Sequence, residues 1–485
     1  MNKATYLEEY PKHQSMRENV KKDKNRLHFH IIPPTGWIND PNGLCQFQGT
    51  YHIYFQYTPF VAGWGTKIWG HYTTNDWIHF QEEEPFLFPD CDWDRDGVYS
   101  GSAFIKENEI HYFYTGNVKY WDQDYDYIMN GRAQNTIHVM SRDGKTASEK
   151  QLIMQNQDYP SDMSKHVRDP KIYAKNGKYY MVQGARDANS KGCVLVFESE
   201  DLMDWKYICR IQPNESFGYL WECPDLFDLD GQTILIACPQ GISQSGYRYQ
   251  NIYQCGYFPI QLDLEKKEYV LGQFEELDKG FDFYAAQTFE DQKGRRILIA
   301  WMAVPDSDYR YDTTAAYDWI HTLTMPRVLQ FQNGKLIQQP LEEMKALRKT
   351  TRKSNISDFG TWNPKDCCFE MQVQIDKEPE NLMLQLRDDV TISYQDQVIT
   401  LSLGKSGCGR KTRMAEVAML KEFTIFSDTS SLEIFINNGE TVMTTRIYSD
   451  DLNQTVSFLT PEISGTVTAY ELDSYVINWE NWLQN

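Results

Sequence analysis

Five segments of the chain share one layout: a polar or acidic start, a short strand, a turn, and a second strand rich in β-branched and aromatic residues. They read NDPNGLCQFQGTYHIYFQY from Asn39, SGSAFIKENEIHYFYTG from Ser100, RDPKIYAKNGKYYMVQG from Arg168, ECPDLFDLDGQTILIACPQG from Glu222 and YAAQTFEDQKGRRILIAWM from Tyr284. Their turn residues, Gly49, Asn108, Gly177, Gly231 and Gly294, are separated by 59, 69, 54 and 63 residues. Each interval has room for about four short strands with their loops, the content of one blade of a radial propeller. Hairpins resemble one another in any all-β protein, because every hairpin needs a turn. What distinguishes this chain is the register of its polar residues.

Asp40 lies 9 residues ahead of Gly49, Asp169 lies 8 ahead of Gly177, and Glu222 lies 9 ahead of Gly231. Ser100 precedes Asn108 by 8 and Tyr284 precedes Gly294 by 10. Equivalent positions of a radial fold converge on its axis, so this register predicts three carboxylates in one funnel. Taken singly, each motif reads as local structure. Asn39-Asp40-Pro41-Asn42-Gly43 is a turn sequence, since Asn and Asp bond their own backbone and Gly accepts positive φ. Arg168-Asp169-Pro170 reads as a charged pair in a turn, and Glu222 as a strand end beside Pro224. In matching register they read as a site.

Several carboxylates around one small pocket serve glycosidic bond cleavage or metal-assisted hydrolysis. The first needs a carboxylate nucleophile and a second acid of raised pKa. The second wants His partners at ligand spacing. His28 and His30 alternate on one strand face, tied to none of the three acids, and read as structural. Asp228-Leu229-Asp230-Gly231 resembles part of a calcium loop but lacks the remaining ligand positions. No Gly-rich phosphate cradle, nucleophile-elbow Ser or dinucleotide fingerprint occurs. Cys223 has no His placed to activate it and reads as packing. Neither a metal nor a cofactor is expected.

The expected fold class is all-β, a five-bladed β-propeller followed by a C-terminal β-sandwich. The expected division is an N-terminal extension over 1–27, the propeller over 28–335, a linker with a short helix over 336–357, and the sandwich over 358–485. The linker reading rests on the charged stretch from Glu342 to Arg348, and the sandwich on some eight short strands such as CFEMQVQI and SLEIFIN. TNDWIHF (74–80) and SEDLMDWKYI (199–208) read as a second repeated element, an outer strand carrying Trp77 or Trp205. The 31 Tyr and 13 Trp suit pleated sheets and sugar-stacking surfaces.

Forty-eight basic residues stand against 68 acidic ones, a net charge of −20 that repels nucleic acid and anionic membranes. No apolar run approaches the roughly 18 residues needed to span a bilayer. The first 26 residues are charged throughout and contain no apolar core of a secretory signal. The ten Cys lie scattered without a CxxC pair, as suits reduced thiols in a cytoplasm.

The motifs WINDPNG, YSGSAF, FYTG, RDP, WECPDLF, FYAAQTF and IAWM, in this order and spacing, resemble glycoside hydrolase family 32, the β-fructofuranosidases. The resemblance is close from residue 28 to about 345 and looser over the sandwich. Within the family, IWGHYTT, GYRYQNIYQCGYF, IAWMAVPD and KLIQQPL look most like bacterial intracellular members that act on sucrose 6-phosphate. The resemblance implies a retaining double displacement at the fructosyl C2, with Asp40 as nucleophile, Glu222 as acid/base and Asp169 as transition-state stabiliser. It also implies Trp37, Trp64, Tyr99, Tyr284 and Trp301 around the fructose, with Asn39, Gln56, Ser100 and Arg168 as its hydrogen-bonding residues. The implied partner is a small fructosyl sugar: sucrose, sucrose 6-phosphate or a short fructo-oligosaccharide. Ile38 stands where the family usually has Met, and Trp64 where related intracellular enzymes often carry His. Arg248, Lys67 and Arg186 are the candidate phosphate partners. A non-catalytic fructan-binding propeller and an inverting arabinan-type hydrolase remain the competing expectations.

Overall fold

Each repeated segment folds as a hairpin, and each hairpin leads a sheet. In the computed structural model, which describes residues 1–122, 124–309, 312–387, 389–449, 455–460 and 462–479, the tight turns fall at Gly49, Asn108, Gly177, Gly231 and Gly294. Residues 480–485 of the expected sandwich lie outside the described residues. Among those residues the strands form seven sheets, five of them led by the repeated hairpins. The leading strands are Gly36–Phe47, Val98–Lys106, Met163–Lys175, Leu220–Leu229 and Tyr284–Glu290. Each touches the next, and the fifth touches the first, so the five close a ring. A buried staple crosses it: Asp225 of the fourth sheet accepts from the backbone N–H and hydroxyl of Thr288 in the fifth, and lies 3.3 Å from Lys171 Nζ of the third.

All five leading strands carry a bulge in the same place. Residues 39–40 oppose Gln56, 99–100 oppose Thr115, 169–170 oppose Gln183, 223–224 oppose Ala237, and 285–286 oppose Ala300. Two residues facing one bend the strand and re-aim its side chains. In three bulges the first residue is left-handed: Asp169 (φ 60°), Cys223 (φ 47°) and Ala285 (φ 51°). This corrects the reading of Asn39–Gly43 as a turn, because the segment lies inside one strand with a second bulge between Asn42 and Cys45. Pro41 has no N–H to give the ladder, and such residues settle where pairing is interrupted. The register is also staggered. Asp40 and Ser100 are second bulge residues, Asp169 is a first, and Glu222 and Tyr284 precede theirs.

The second repeated element is a turn rather than a strand. The Thr74 hydroxyl accepts from the Trp77 N–H, and Asp76 accepts from the N–H groups of Ile78 and His79. Ser199 and Asp201 repeat this pattern with Leu202, Met203 and Asp204. Ser141 and Asp143 repeat it again with Gly144, Lys145 and Thr146, a third copy that the Trp pattern does not reveal. Trp77 sits in its turn and Trp205 just after its own, ahead of the strands His79–Glu82 and Lys206–Ile211.

The 1–27 segment contains helix α1 (Lys3–Val20), capped by Asn2. Its buried face carries Tyr6, Tyr10, His13, Met16, Arg17 and Val20, at helical spacing. It docks on the first sheet through a buried Arg17–Glu82 ion pair and a 2.7 Å contact from His13 Nε2 to the Tyr57 hydroxyl. The expected linker over 336–357 is largely strand. Lys335–Pro340 ends the fifth sheet, Glu342–Leu347 is a 3-10 turn, and Arg348–Asn355 already belongs to the second domain. That domain is a sandwich of two six-stranded sheets around a core of Phe369, Met371, Leu384, Ile392, Ile425 and Ile434. Among the described residues, no helix is long and apolar enough to cross a membrane.

His30 is structural, as expected. It lies between Asp428 at 2.8 Å and Glu433 at 2.9 Å, tying the first domain to the sandwich. Asp228 and Asp230 serve the hairpin and a neighbouring strand: Asp228 accepts from Tyr173 and Thr233, and Asp230 from the Phe331 N–H.

Candidate active site

The three carboxylates gather around one residue, Cys223. Its N–H donates to Asp169 Oδ2 at 2.8 Å, its Sγ lies 3.7 Å from Asp40 Oδ2, and it is the chain neighbour of Glu222. Its left-handed φ turns the N–H inward while leaving the Glu222 side chain on the same face. The Cys223 thiol is no nucleophile. A hydrogen bond with Cys238 draws its pKa down, but burial and the charges of Asp169, Asp40 and Glu222 push it well above the ordinary value.

Asp40 is held by a network built from expected residues. Asn39 Nδ2 donates to Asp40 Oδ1 at 3.1 Å and to Gln56 Oε1 at 2.9 Å, while Trp37 Nε1 donates to Asn39 Oδ1 at 2.9 Å. Gln56 donates to the Ser100 hydroxyl, which donates to Asp40 Oδ2. Burial raises the Asp40 pKa, and Ser100, Asn39 and the Lys67 charge pull it back towards the ionised form. Lys67 is 1% exposed, bonded to the Thr58 hydroxyl, and packed 4.7 Å from the Trp37 ring centroid and 4.9 Å from that of Trp64. Burial brings its ammonium down to about 7.

Glu222 has different company. Its Oε1 accepts from Arg168 Nη1 at 3.1 Å, and its Oε2 accepts from the Tyr284 hydroxyl and from Gln240 Nε2, both at 2.8 Å. Burial still raises its pKa against these donors and the charge of Arg168. Asp169 accepts only the Cys223 N–H among these bonds, and burial plus the Glu222 charge push it up to about 8. Two adjacent acids, both raised, titrate as a pair and keep a proton between them near neutrality. Burial raises all three acids, and the donors and the Lys67 charge that offset it on Asp40 set that carboxylate apart from the proton-holding pair, so that nucleophilic and general-acid chemistry can meet at one bond.

Aromatic rings wall one side. Trp37 packs edge-on against His321 at 4.4 Å and against Trp64 at 6.2 Å, and lies tilted on Trp301 at 6.0 Å. Trp64 is 65% exposed and forms the rim rather than the wall. Tyr99 is half-buried near the charges of Arg132 and Arg168. All twelve predicted residues therefore belong to one connected constellation. Arg248 does not, since its partners are the Phe274 carbonyl and Glu275. Gln240, His321 and Arg132 were missed, as were Thr115, whose hydroxyl accepts from the Asp169 N–H at 2.8 Å, and His166, whose ring meets Arg168. Gln240 had a signal: Glu222 faces Cys238 across the hairpin, and Gln240, two residues on, shares that face.

Comparison with known proteins agrees with this geometry. Residues 30–340 match the profile of the glycosyl hydrolases family 32 N-terminal domain, and residues 338–474 that of the family's C-terminal domain. A sucrose-6-phosphate hydrolase of Bacillus subtilis is 42% identical over 438 residues, covering 88% of this chain and 89% of that one. One from Staphylococcus xylosus is 37% identical over 460 residues, 90% of each chain. Among solved structures, a sucrose-6-phosphate hydrolase of Lactobacillus gasseri superposes with a TM-score of 0.88 at 27% identity, covering 96% of this chain and 97% of that one. A β-fructofuranosidase of Bombyx mori superposes with a TM-score of 0.82 at 29% identity, covering 98% of this chain and all (100%) of that one.

Proposed function

The chain belongs to glycosyl hydrolase family 32, and from that membership we propose that it is a retaining β-fructofuranosidase acting on sucrose and sucrose 6-phosphate. It is a glycoside hydrolase. In the proposed reaction Asp40 attacks the fructosyl C2 while Glu222 protonates the departing glycosidic oxygen. Glu222, now ionised, takes a proton from water as that water releases fructose from Asp40. Asp169 holds fructosyl hydroxyls and steadies the charge that grows on the ring, and Trp37, Trp301 and Tyr99 flank the sugar. We read the ring of hairpin-led sheets as a five-bladed propeller, joined to the sandwich at the turn Glu342–Leu347. A cytosolic setting suits the ten cysteines, all of them free thiols.

The observation that carries this reading is the convergence of Asp40, Asp169 and Glu222 on Cys223, with different donors on each acid. A sugar-binding propeller without catalysis has no use for three buried acids gathered at one point with a proton held among them. The test compares kcat/KM for sucrose, sucrose 6-phosphate and a short kestose-type oligomer, and traps the intermediate with methanol. Methyl β-fructoside is the expected product, and an inverted anomer would overturn the mechanism. Asp40→Asn should lose at least about 10³-fold in kcat, because the covalent route goes with the nucleophile. Near-native turnover by that variant would remove Asp40 from the role.

A further inference from the structure

On the leaving-group side of Glu222 the site is walled by positive charge. Arg168 donates to Glu222 from Nη1 and meets His166 Nδ1 through Nη2. His166 Nε2 lies 2.6 Å from the Tyr127 carbonyl, and the Arg132 guanidinium sits 4.5 Å from the Tyr127 ring centroid. A chain of direct contacts thus runs from Glu222 through Arg168, His166 and Tyr127 to a second arginine. Arg186 is joined to His166 through Ser164, whose hydroxyl accepts from the His166 N–H at 3.1 Å and donates to the Arg186 carbonyl at 2.7 Å; its guanidinium lies 4.9 Å from the Tyr219 ring centroid with Nη2 on the Ser190 hydroxyl. Burial and the charges of Arg168, Arg132 and Arg186 drive the His166 imidazole far below its usual pKa.

Arg132 is the unusual member. It is 2% exposed and opens the strand Arg132–Ser141. Its Nη2 donates to Asn117 Oδ1 at 2.8 Å, the Tyr127 hydroxyl is its other side-chain neighbour, and Nε and Nη1 have no partner in hydrogen-bond geometry. Among the described residues it forms no ion pair, in a chain of net charge −20 that has acids to spare. A buried guanidinium with open donors and no counterion is unfavourable, and an anion in that place removes the penalty. Guanidinium groups suit phosphate best, because their planar fork meets two of its oxygens at once. Tyr127, 46% exposed and held at φ 66°, is the group that such an anion would displace from Arg132.

Resting on the reading of a sucrose-type substrate, we propose that Arg132 and Arg186, beside His166, form the subsite that holds the phosphate of a phosphorylated leaving-group sugar. The fructosyl unit lies towards Asp40 and Ser100, so the leaving sugar lies beyond Glu222, where this wall stands. Of the cations weighed from the sequence, Arg186 belongs here, Lys67 faces Asp40 and the tryptophans, and Arg248 is held elsewhere.

The test measures kcat/KM on sucrose 6-phosphate and on sucrose for wild type, Arg132→Gln, Arg132→Lys and Arg186→Gln, with glucose 6-phosphate and glucose as competing product probes. Charge-assisted hydrogen bonds of this kind predict that Arg132→Gln lowers the ratio of the two kcat/KM values roughly 10- to 100-fold, mostly through KM, with partial return in Arg132→Lys. Glucose 6-phosphate should inhibit wild type far better than glucose, and that advantage should fall in Arg132→Gln. Equal losses on both substrates, or no advantage of glucose 6-phosphate in wild type, would overturn the subsite. If Arg132→Gln does not fold, the ratio in Arg186→Gln decides, a drop supporting the subsite and no drop overturning it. A wild type that cleaves neither substrate would instead overturn the function proposed above, and glucose 6-phosphate binding that depends on Arg132 would still support the anion site.

Discussion

Replacing Tyr284 with Phe should shift the alkaline limb of the pH–activity profile upward. The Tyr284 hydroxyl donates to Glu222 Oε2 at 2.8 Å, and the Phe ring keeps the buried packing of the native side chain. A donor bonded to a carboxylate favours its charged form, so removing it raises the pKa. A hydrogen bond to a charged group is worth about 1.5–3 kcal/mol. Gln240 Nε2 stays on the same oxygen at 2.8 Å and takes up part of the loss, which selects the lower end. At 1.36 kcal/mol per unit, about 1.5 kcal/mol is a rise of about one pKa unit.

A general acid works only while protonated, so activity is lost as pH rises through its pKa, and a raised pKa carries the limb with it. The assay is kcat/KM for sucrose between pH 4 and 10, because kcat/KM reports the free enzyme whose bonds are described above. Gln240→Leu should shift the limb in the same direction. The double variant should move it by more than the sum, because in each single variant the remaining donor on the shared oxygen takes up part of the loss. A limb that stays within about 0.3 units, or moves down, would refute the assignment of Glu222 as the group titrating there.

Asp169→Asn should abolish activity yet stabilise the fold. Burial and Glu222 hold the Asp169 carboxyl far above its unfolded value, so the folded chain keeps a proton that the unfolded chain releases above about pH 4. Urea unfolding should show a gain of at least about 1 kcal/mol at pH 7 that shrinks towards pH 4, and a less stable variant would contradict the argument. Stacked imidazoles, His52 on His71 and His111 on His138, contact at 3.1 and 3.0 Å in equivalent positions of the first two sheets. Burial brings both His52 and His138 down to about 4, so the unfolded state binds more protons between pH 4 and 6.5, and their contribution is lost as pH falls through that window. Because the site acids pull the other way, the quantity to read is the variant-minus-wild-type difference. His138→Gln should reduce the stability lost between pH 7 and 5 by about 2 kcal/mol, and an unchanged loss would refute it. Arg327 is fully buried between Glu433 at 2.6 Å and Asp278 at 3.3 Å where the two domains meet, and Arg327→Met should lose about 3–5 kcal/mol in chemical unfolding. A loss below about 1 kcal/mol would mean that the two carboxylates find other partners.

What could be read from the sequence was local or periodic. A hairpin writes its own signature, with alternating side chains meeting at a Gly or Asn, and so the five hairpins and their spacing were legible. The bulges were not, because a bulge is a relation between two strands. Nothing in Asn39–Gly43 says that Gln56 will face two residues at once, and the same local chemistry suits a turn. That ambiguity also blurred the register, which places Asp40, Asp169 and Glu222 at three successive positions around the bulge rather than at one. Helix α1 was hidden for a different reason. Four of the six residues of its buried stripe are Tyr, His and Arg, which register as polar although they carry large apolar bodies that α1 lays against the first sheet. Residues that act across sheets carried no signal at all. Arg132 lies 36 residues before Arg168 in the chain, and only folding links it through Tyr127, His166 and Arg168 to Glu222. Motifs locate the residues that meet the reacting bond because those must sit on the bulged strands. The groups that choose among substrates are free to come from anywhere the ring of sheets can reach, and so they become visible only in the folded chain.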